Sequence, residues 1–213
     1  MSQLGGATPA FLSQRYLDAI TYAARVHGRD VRKGTTVPYL VHPLAVSSIV
    51  LEHGGKEDEA VAALLHDVAE DHGGRPRITE IEERFGHKVA HIVEACSDSL
   101  VREGEPKQPW QERKRKYLAY LRTVKEEAVL LVSAADKLHN ARAILAGQHA
   151  EGDHIFTRFR PVLDHGPTRG KQLILDYYRH LADIYHSDLP GVLPLLFADT
   201  LRAIENHPAQ SLV

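Results

Sequence analysis

The segment that most constrains the fold is residues 60–71, whose sequence is AVAALLHDVAED. Its larger apolar residues recur at i, i+3, i+4 and i+7, the spacing of one helical face; they are Val61, Leu64, Leu65 and Val68. The first six residues carry no charge, and three alanines keep the other side of the helix narrow. The pattern therefore predicts a helix buried on nearly all sides by neighbouring elements.

A histidine and three carboxylates belong to this predicted buried helix, namely His66, Asp67, Glu70 and Asp71. A buried Asp beside a buried His is costly unless its charge is compensated, and a divalent metal ion is the usual compensator. The alternative is that the His-Asp pair lies on a solvated face or forms a satisfied pair in the core.

Two further segments favour the metal. Residues 128–144 begin with a run that has no charge, after which Asp136 and Asn140 share one helical face. In residues 38–43, PYLVHP, the final proline suits the first turn of a helix, which places His42 at the helix entrance. Together the segments offer a four-ligand N/O site made of His42, His66, Asp67 and Asp136. Because it lacks thiolate, such a site suits Mn, Fe or Zn better than a Cys-rich structural zinc.

Three motifs in this order resemble a known family. They are RKG-x3-PYLVHP at 32–43, LLHDVAED at 64–71 and ADKLHNAR at 135–142. Their H…HD…D pattern is similar to that of the HD-domain metal-dependent phosphohydrolases. The flanking residues resemble the hydrolase domain of RelA/SpoT homologues, in particular the stand-alone small alarmone hydrolases. The resemblance runs from about Tyr16 to about Tyr185. It implies an enzyme that removes the 3′-pyrophosphate of (p)ppGpp to give GDP or GTP and pyrophosphate, and it favours Mn²⁺ as the metal.

The resemblance also implies a role for two carboxylates. Glu70 and Asp71 match the pair that assists hydrolysis in the resembling enzymes. A bound cation activates water and polarises a phosphoryl oxygen, and we expect the two carboxylates to transfer protons or orient water. The alternative is that both simply close the helix as solvated residues, although carboxylates at a helix C-terminus oppose the macrodipole.

The expected nucleotide-binding residues are Arg32, Lys33, Lys137, Asn140 and Arg142. The resemblance implies that the first two stack on the base and hold phosphate, for which a planar guanidinium is suited, and that the asparagine contacts the nucleotide. A solvated loop is the alternative for the first two. Lys137 and Arg142 would either neutralise phosphate or pair with Glu70 and Asp71.

Two positions depart from the family's pattern and leave the nucleotide open. Asp176 stands where a Trp commonly precedes a tyrosine pair, and His72-Gly73-Gly74 replaces the Thr common in the long RelA/SpoT enzymes. The remaining alternatives are (p)ppApp, NADPH or a nucleoside monophosphate as substrate, or a non-catalytic nucleotide-binding regulator. His72 and His139 do not match ligand positions, and we expect structural roles for both.

Length and composition bound the class of protein. With 213 residues, 43% of them hydrophobic, we expect one domain over 1–213 with its core at about 16–186. A formal net charge of −2 leaves no basic field for nucleic acid. One cysteine excludes a disulfide framework, and neither a signal peptide nor a bilayer-length apolar segment is recognisable. We therefore expect a cytoplasmic protein without membrane contact, of undetermined oligomeric state.

Helical periodicity and helix start and stop signals predict an all-α, single-domain HD-type bundle. We expect a polar loop at 99–109 and a less regular region before 169. The predicted helices run from Thr8-Pro9 to about 27, and over about 43–53, 57–72, 79–85, 87–98, 110–124, 126–147, 169–186 and 190–206.

Overall fold

The computed structural model describes residues 12–102 and 104–208. Within these ranges the chain forms eleven α-helices and one 3₁₀ helix. In the described residues outside the helices, Val31 and Pro38 form an isolated antiparallel β-bridge. The predicted all-α fold class is confirmed. The α-helices are α1 Gln14–Val26, α2 Val41–Glu52, α3 Glu57–Leu65, α4 Val68–Asp71, α5 Arg75–Phe85, α6 His87–Cys96, α7 Trp110–Leu121, α8 Glu127–Glu151, α9 Arg160–His165, α10 Pro167–Asp188 and α11 Leu193–Glu205, and the 3₁₀ helix is Gly152–Arg158.

Of two predicted helix starts, one lies outside the described residues and the other is wrong. The start at Thr8-Pro9 lies outside the described residues; α1 begins after Ser13, whose hydroxyl accepts a hydrogen bond from the backbone N–H of Arg15. The predicted start at Thr79 is wrong, because α5 already begins at Arg75 with a proline in its first turn. The capping-box spacing that suggested Thr79 therefore falls inside a helix.

The predicted helix 57–72 is interrupted at His66-Asp67, between α3 and α4. His66 Nδ1 lies 2.8 Å from the carbonyl oxygen of Ala63 and donates to it. In a regular α-helix that carbonyl accepts from the backbone N–H of residue 67. The side chain thus competes for a helical acceptor at the point where the helix breaks, and the His-Asp doublet lies at the break.

The two segments without charge lie at the centre of the bundle. In α3 every side chain from Ala60 to Leu65 is fully buried, and α1, α2, α6 and α8 pack around it. In α8, which packs against α2, α3, α6 and α11, every residue from Val129 to Asp136 is buried. The prediction of a helix buried on nearly all sides is confirmed. Because α3 and α8 contact each other, the polar residues that follow each run are brought to neighbouring places.

A hydroxyl cluster ties the second half of the bundle together. The buried Ser133 hydroxyl lies 2.8 Å from the Tyr117 hydroxyl and 2.7 Å from that of Tyr185. These bonds join α7, α8 and α10 through one polar point in an apolar interior.

Among the described residues, no helix has an apolar stretch of the length that spanning a membrane requires.

Candidate metal centre

Four side chains from separate parts of the chain converge at one point. His42 is the second residue of α2, His66 and Asp67 lie at the break between α3 and α4, and Asp136 lies in α8. His42 Nε2 is 3.5 Å from Asp67 Oδ2 and 3.2 Å from Asp136 Oδ1. His66 Nε2 is 3.0 Å and 3.6 Å from the same two oxygens. The structure therefore brings together all four residues that the sequence predicts as ligands.

The separations fit a shared divalent cation. Ligand atoms about 2.0–2.2 Å from a tetrahedral or octahedral ion are about 2.8–3.6 Å apart at neighbouring positions. His66 Nε2 is buried and has no hydrogen-bond partner among the described residues, while its Nδ1 is bonded to a backbone carbonyl. A second bond of this kind is what holds a metal-ligating imidazole in its orientation.

The electrostatics of the cluster also favour the binding of a cation. Burial disfavours an imidazolium, yet the charges of Asp67 and Asp136 raise the pKa of His66 well above its ordinary value. Asp136 pairs with Lys137, whereas the partly buried Asp67 has only the two histidines as salt-bridge partners among the described residues, and a carboxylate so placed is costly without a further cation. A divalent ion would supply that charge and leave the imidazoles neutral, as ligation requires.

Two side chains donate hydrogen bonds to the carboxylates of the proposed ligands from outside the cluster. The Tyr39 hydroxyl donates to Asp67 Oδ2, and burial with the charge of Asp67 raises the tyrosine pKa, so the hydroxyl keeps its proton. Asn140 Nδ2 donates to Asp136 Oδ1 at 2.5 Å. Sequence reasoning found the asparagine from its shared helical face but missed Tyr39; its position three residues before His42 was the available signal.

His139 lies next to the ligand set rather than in it. Its Nδ1 is 2.8 Å from Nδ1 of His42. Burial and the neighbouring charge of His42 lower the pKa of His139 to about 4, so its ring is neutral and can accept the Nδ1 proton of His42. The bond leaves His42 Nε2 free to face the cluster. His139 thus has the expected structural role, and it contacts a proposed ligand directly.

Glu70 and Asp71 lie beside the cluster in α4. Glu70 accepts from the backbone N–H of Asp98 at 3.1 Å and from Lys107 Nζ at 3.2 Å. Burial and the charge of Asp98 raise the pKa of Glu70 to about 7. Partial desolvation and the charge of Asp67 raise the pKa of Asp71 to about 6, although its side chain is 41% exposed. Since the Glu70 side chain is only 19% exposed, it is not a solvated helix end.

The cationic side chains that pair with Glu70 and Asp71 are not the two that the sequence analysis suggested. Lys107 approaches both, and Arg113 lies 3.7 Å from Glu70 Oε1. Lys137 instead donates to Asp136. Arg142 is exposed on α8. The suggested pairing of Lys137 and Arg142 with Glu70 and Asp71 is therefore wrong; Lys107 comes from the predicted polar loop, which sequence periodicity could not position.

A cleft of about 690 Å³ adjoins the cluster. Tyr39, His139 and Asn140, each bonded to one of the four proposed ligands, form part of its wall. Of the expected nucleotide-binding residues, the cleft is lined by Arg32, Lys33, Lys137 and Asn140. The fifth, Arg142, is not in the lining.

Aromatic rings complete the cleft. Trp110, Tyr177 and Tyr178 line it, and the rings of Trp110 and Tyr177 meet edge to face with centroids 5.7 Å apart. The Lys114 ammonium lies 5.1 Å from the Tyr177 ring centroid. Asp176, one of the departures from the family pattern, pairs with Arg179 and lies outside the lining. The cleft therefore combines cations with flat apolar surfaces, which suits an anionic ligand that carries an aromatic ring.

Comparisons with known proteins agree with this arrangement. A model of the HD domain family matches residues 19–161, which include the four proposed ligands. The guanosine-3′,5′-bis(diphosphate) 3′-pyrophosphohydrolase MESH1 of Xenopus tropicalis is 40% identical over 129 residues, covering 59% of this chain and 67% of that protein. A protein of the same enzymatic name from Aquifex aeolicus is 33% identical over 126 residues, covering 59% of this chain but only 17% of its own length.

A solved structure is similar over almost the whole chain. It is described as a metazoan orthologue of SpoT that hydrolyses ppGpp and plays a role in starvation responses. The TM-score is 0.69 at 25% sequence identity, and the match covers 92% of this chain and 97% of that one.

Proposed function

Because this chain belongs to the HD domain family, we propose that it removes the 3′-pyrophosphate of (p)ppGpp, giving GDP or GTP and pyrophosphate. The observation that carries the proposal is the convergence of two imidazole nitrogens and two carboxylate oxygens, with cross-distances of 3.0–3.6 Å, beside a cleft of cations and aromatic rings. Relatives that match this chain carry the same activity in their names.

The residues that would hold the metal are His42, His66, Asp67 and Asp136. A bound divalent cation polarises a phosphoryl oxygen and lowers the pKa of water. We propose Mn²⁺, because the donors are nitrogen and oxygen without thiolate and the resembling enzymes favour it. Fe²⁺ and Zn²⁺ accept the same donors, so metal loading with each ion and a rate measurement decide among them.

Glu70 and Asp71 are the proposed proton-handling groups. A carboxyl whose pKa is about 7 can hold or release a proton at neutral pH, which is the range that a general acid or base requires. Lys107, from the 99–109 loop, is bonded to Glu70 and lies 3.6 Å from Asp71 Oδ1, so one ammonium contacts both carboxylates. We assign water orientation and proton acceptance to this pair.

The cations and aromatic rings of the cleft would hold the nucleotide. Burial and the charge of Arg160 lower the pKa of Lys33, as expected for an ammonium short of neighbouring negative charge, and a phosphate would supply that charge. Asn140 accepts from Arg32 at 2.8 Å while donating to Asp136, so the base-facing guanidinium and the metal ligand share one support. The rings of Trp110 and its neighbours offer surfaces for the purine.

The test is product release from a panel of nucleotides by the purified protein with Mn²⁺. The panel contains ppGpp, pppGpp, ppApp, NADPH and dGMP, with pyrophosphate and phosphate measured in parallel. We expect pyrophosphate from the two guanosine alarmones. Phosphate from NADPH or dGMP alone, or pyrophosphate from ppApp alone, would identify a different substrate. Tight nucleotide binding without product from any member of the panel would favour the non-catalytic regulator.

Variants separate the metal site from the cleft. Asp67→Asn should lose bound Mn²⁺ and turnover together, because it removes a ligand charge; retained turnover would contradict the assignment. Arg32→Ala should raise KM while Mn²⁺ content is unchanged. Arg115→Ala is the matched control, since this arginine is exposed and lies outside the cleft lining.

A further inference from the structure

A second cluster of metal-ligating side chains lies outside the centre described above. His27 follows the last residue of α1, Asp30 lies in the loop after it, and His72 follows the last residue of α4. Asp30 Oδ2 is 3.1 Å from His27 Nδ1 and 2.6 Å from His72 Nε2. One atom from each residue lies within 4.8 Å of the other two. Three N/O donors thus converge from two parts of the chain that are 42 residues apart.

We propose that His27, Asp30 and His72 bind a second divalent transition-metal ion, of which Zn²⁺ is the representative. Two imidazoles with one carboxylate are a ligand set that zinc and non-haem iron sites use with remaining positions open to water. None of the three side chains belongs to the first cluster. The Asp30 and His72 side chains are 37% and 31% exposed, so water can reach the open positions, while His27 is buried behind them.

The donor types of the cluster suit an ion. Asp30 Oδ2 lies within hydrogen-bond distance of one ring nitrogen of each histidine. Metal ligation requires a carboxylate and neutral imidazole nitrogens, so an ion would replace the protons that these three side chains share.

The geometry needs only a small adjustment. The 2.6 Å between Asp30 Oδ2 and His72 Nε2 is shorter than the separation of about 2.8–3.6 Å expected of neighbouring ligands around one ion. The Asp30 backbone is anchored, since its N–H donates to the carbonyl of His27 and its own carbonyl accepts from Tyr39, both at 2.9 Å. Because the backbone is held, the proposal requires the Asp30 side chain to rotate and lengthen this separation.

Tyr39 would connect the second site to the first. The Tyr39 ring packs against the His27 ring with centroids 4.7 Å apart, and its hydroxyl donates to Asp67. An ion on His27 would join the end of α1 to the end of α4 and hold the tyrosine that supports a ligand of the first site. His72 is one of the positions where the chain departs from the family pattern, so this second site would be a property of this chain.

Metal counting tests the proposal without reference to turnover. The full chain is stripped with a chelator, reloaded with Zn²⁺, passed through a desalting column and analysed for zinc per chain by mass spectrometry. We expect two ions in the wild type, one in His66→Ala and one in His72→Thr, and none in the double variant. In the His66→Ala protein, Co²⁺ should give visible ligand-field absorption that His72→Thr abolishes.

Two further variants keep the test decisive. Asp30→Asn preserves the size of the side chain but removes its charge, and should weaken the second Zn²⁺ at least about tenfold, since removing a charged ligand costs more than a supporting contact. His149→Ala is the matched control, because it removes an exposed histidine that lies 3.3 Å from His207. One ion in the wild type, an unchanged count in both His72→Thr and Asp30→Asn, or loss of the second ion in His149→Ala would overturn the proposal in favour of a hydrogen-bonded triad.

Discussion

Glu70→Gln should make the metal-free protein more stable above pH 7, and the gain should vanish below about pH 4.5. The Glu70 carboxyl has a pKa of about 7 in the folded protein against an ordinary 4.5, because burial and the Asp98 charge disfavour the carboxylate. Between these values the folded state holds a proton that the unfolded chain has released. In the wild type, the proton on Glu70 therefore stabilises the folded state fully below pH 4.5, and this stabilisation is lost as the pH rises through 7. Glutamine keeps the shape of the side chain and does not ionise.

The size of the effect follows from the pKa. Each unit of pKa corresponds to about 1.4 kcal/mol, so a change from 4.5 to about 7 gives a ceiling of about 3 kcal/mol. The loss should accumulate at up to about 1.4 kcal/mol per pH unit over that interval. Because the side chain retains some exposure and pairs with Lys107, we expect about 2 kcal/mol between the variant and the wild type at the upper end.

The assay is urea unfolding of both proteins at several pH values from about 4.5 to 8, in chelator. The chelator matters because a bound divalent cation would itself lower the pKa of neighbouring carboxyls. The stability difference should widen with pH. Glu83→Gln is the control, because that side chain is exposed on α5, and its difference from the wild type should stay small at every pH. Parallel pH curves for Glu70→Gln and the wild type would refute the raised pKa.

Three other perturbations test the packing and the support of the site. Gly74→Ala should lower the free energy of unfolding by about 2–3 kcal/mol in thermal or urea melts, because φ at this residue is +65° and the new Cβ would collide with a loop carbonyl oxygen. Gly54→Ala is the control: φ there is +88° but the space around it is open, so the substitution should cost about 1 kcal/mol. Equal costs would contradict the collision. Ser133→Ala should cost about 1–3 kcal/mol in the same melts, since two buried tyrosine hydroxyls lose their partner. Tyr39→Phe should weaken Mn²⁺ binding about 10- to 100-fold in calorimetric titration with the helical content unchanged, and unaltered affinity would show that its bond to Asp67 does not support the ligand.

Much of the site could be predicted because its residues follow segments without charge. The run before His66 and the run before Asp136 must be buried, and polar groups at the end of a buried run need a partner. That reasoning correctly identified the central helices and proposed the four ligands, and the resemblance added the catalytic pair and the nucleotide candidates. It failed where a side chain changes the backbone locally: the His66 bond to a helical carbonyl accompanies a helix break that apolar periodicity does not reveal.

The resemblance identified two loop residues of the cleft, Arg32 and Lys33, but the contacts of other loop residues escaped sequence reasoning. Lys107 reaches Glu70 across 37 positions, and His72 reaches Asp30 across 42. A loop has no period that relates its residues to a helix face, so its side chains acquire partners only when the bundle is assembled. Arg142 was a candidate from its motif, yet it is exposed on α8 and lies outside the cleft lining.

The sequence by itself determined the helical class, the burial of α3 and α8, and which residue types end each buried run, because periodicity and the absence of charge act over a few neighbouring residues. Only the tertiary structure decided which of these groups meet, as where His42 and His139, 97 positions apart, share a bond of 2.8 Å. Such contacts depend on how helices pack, and packing is set by the whole set of apolar faces rather than by any one segment.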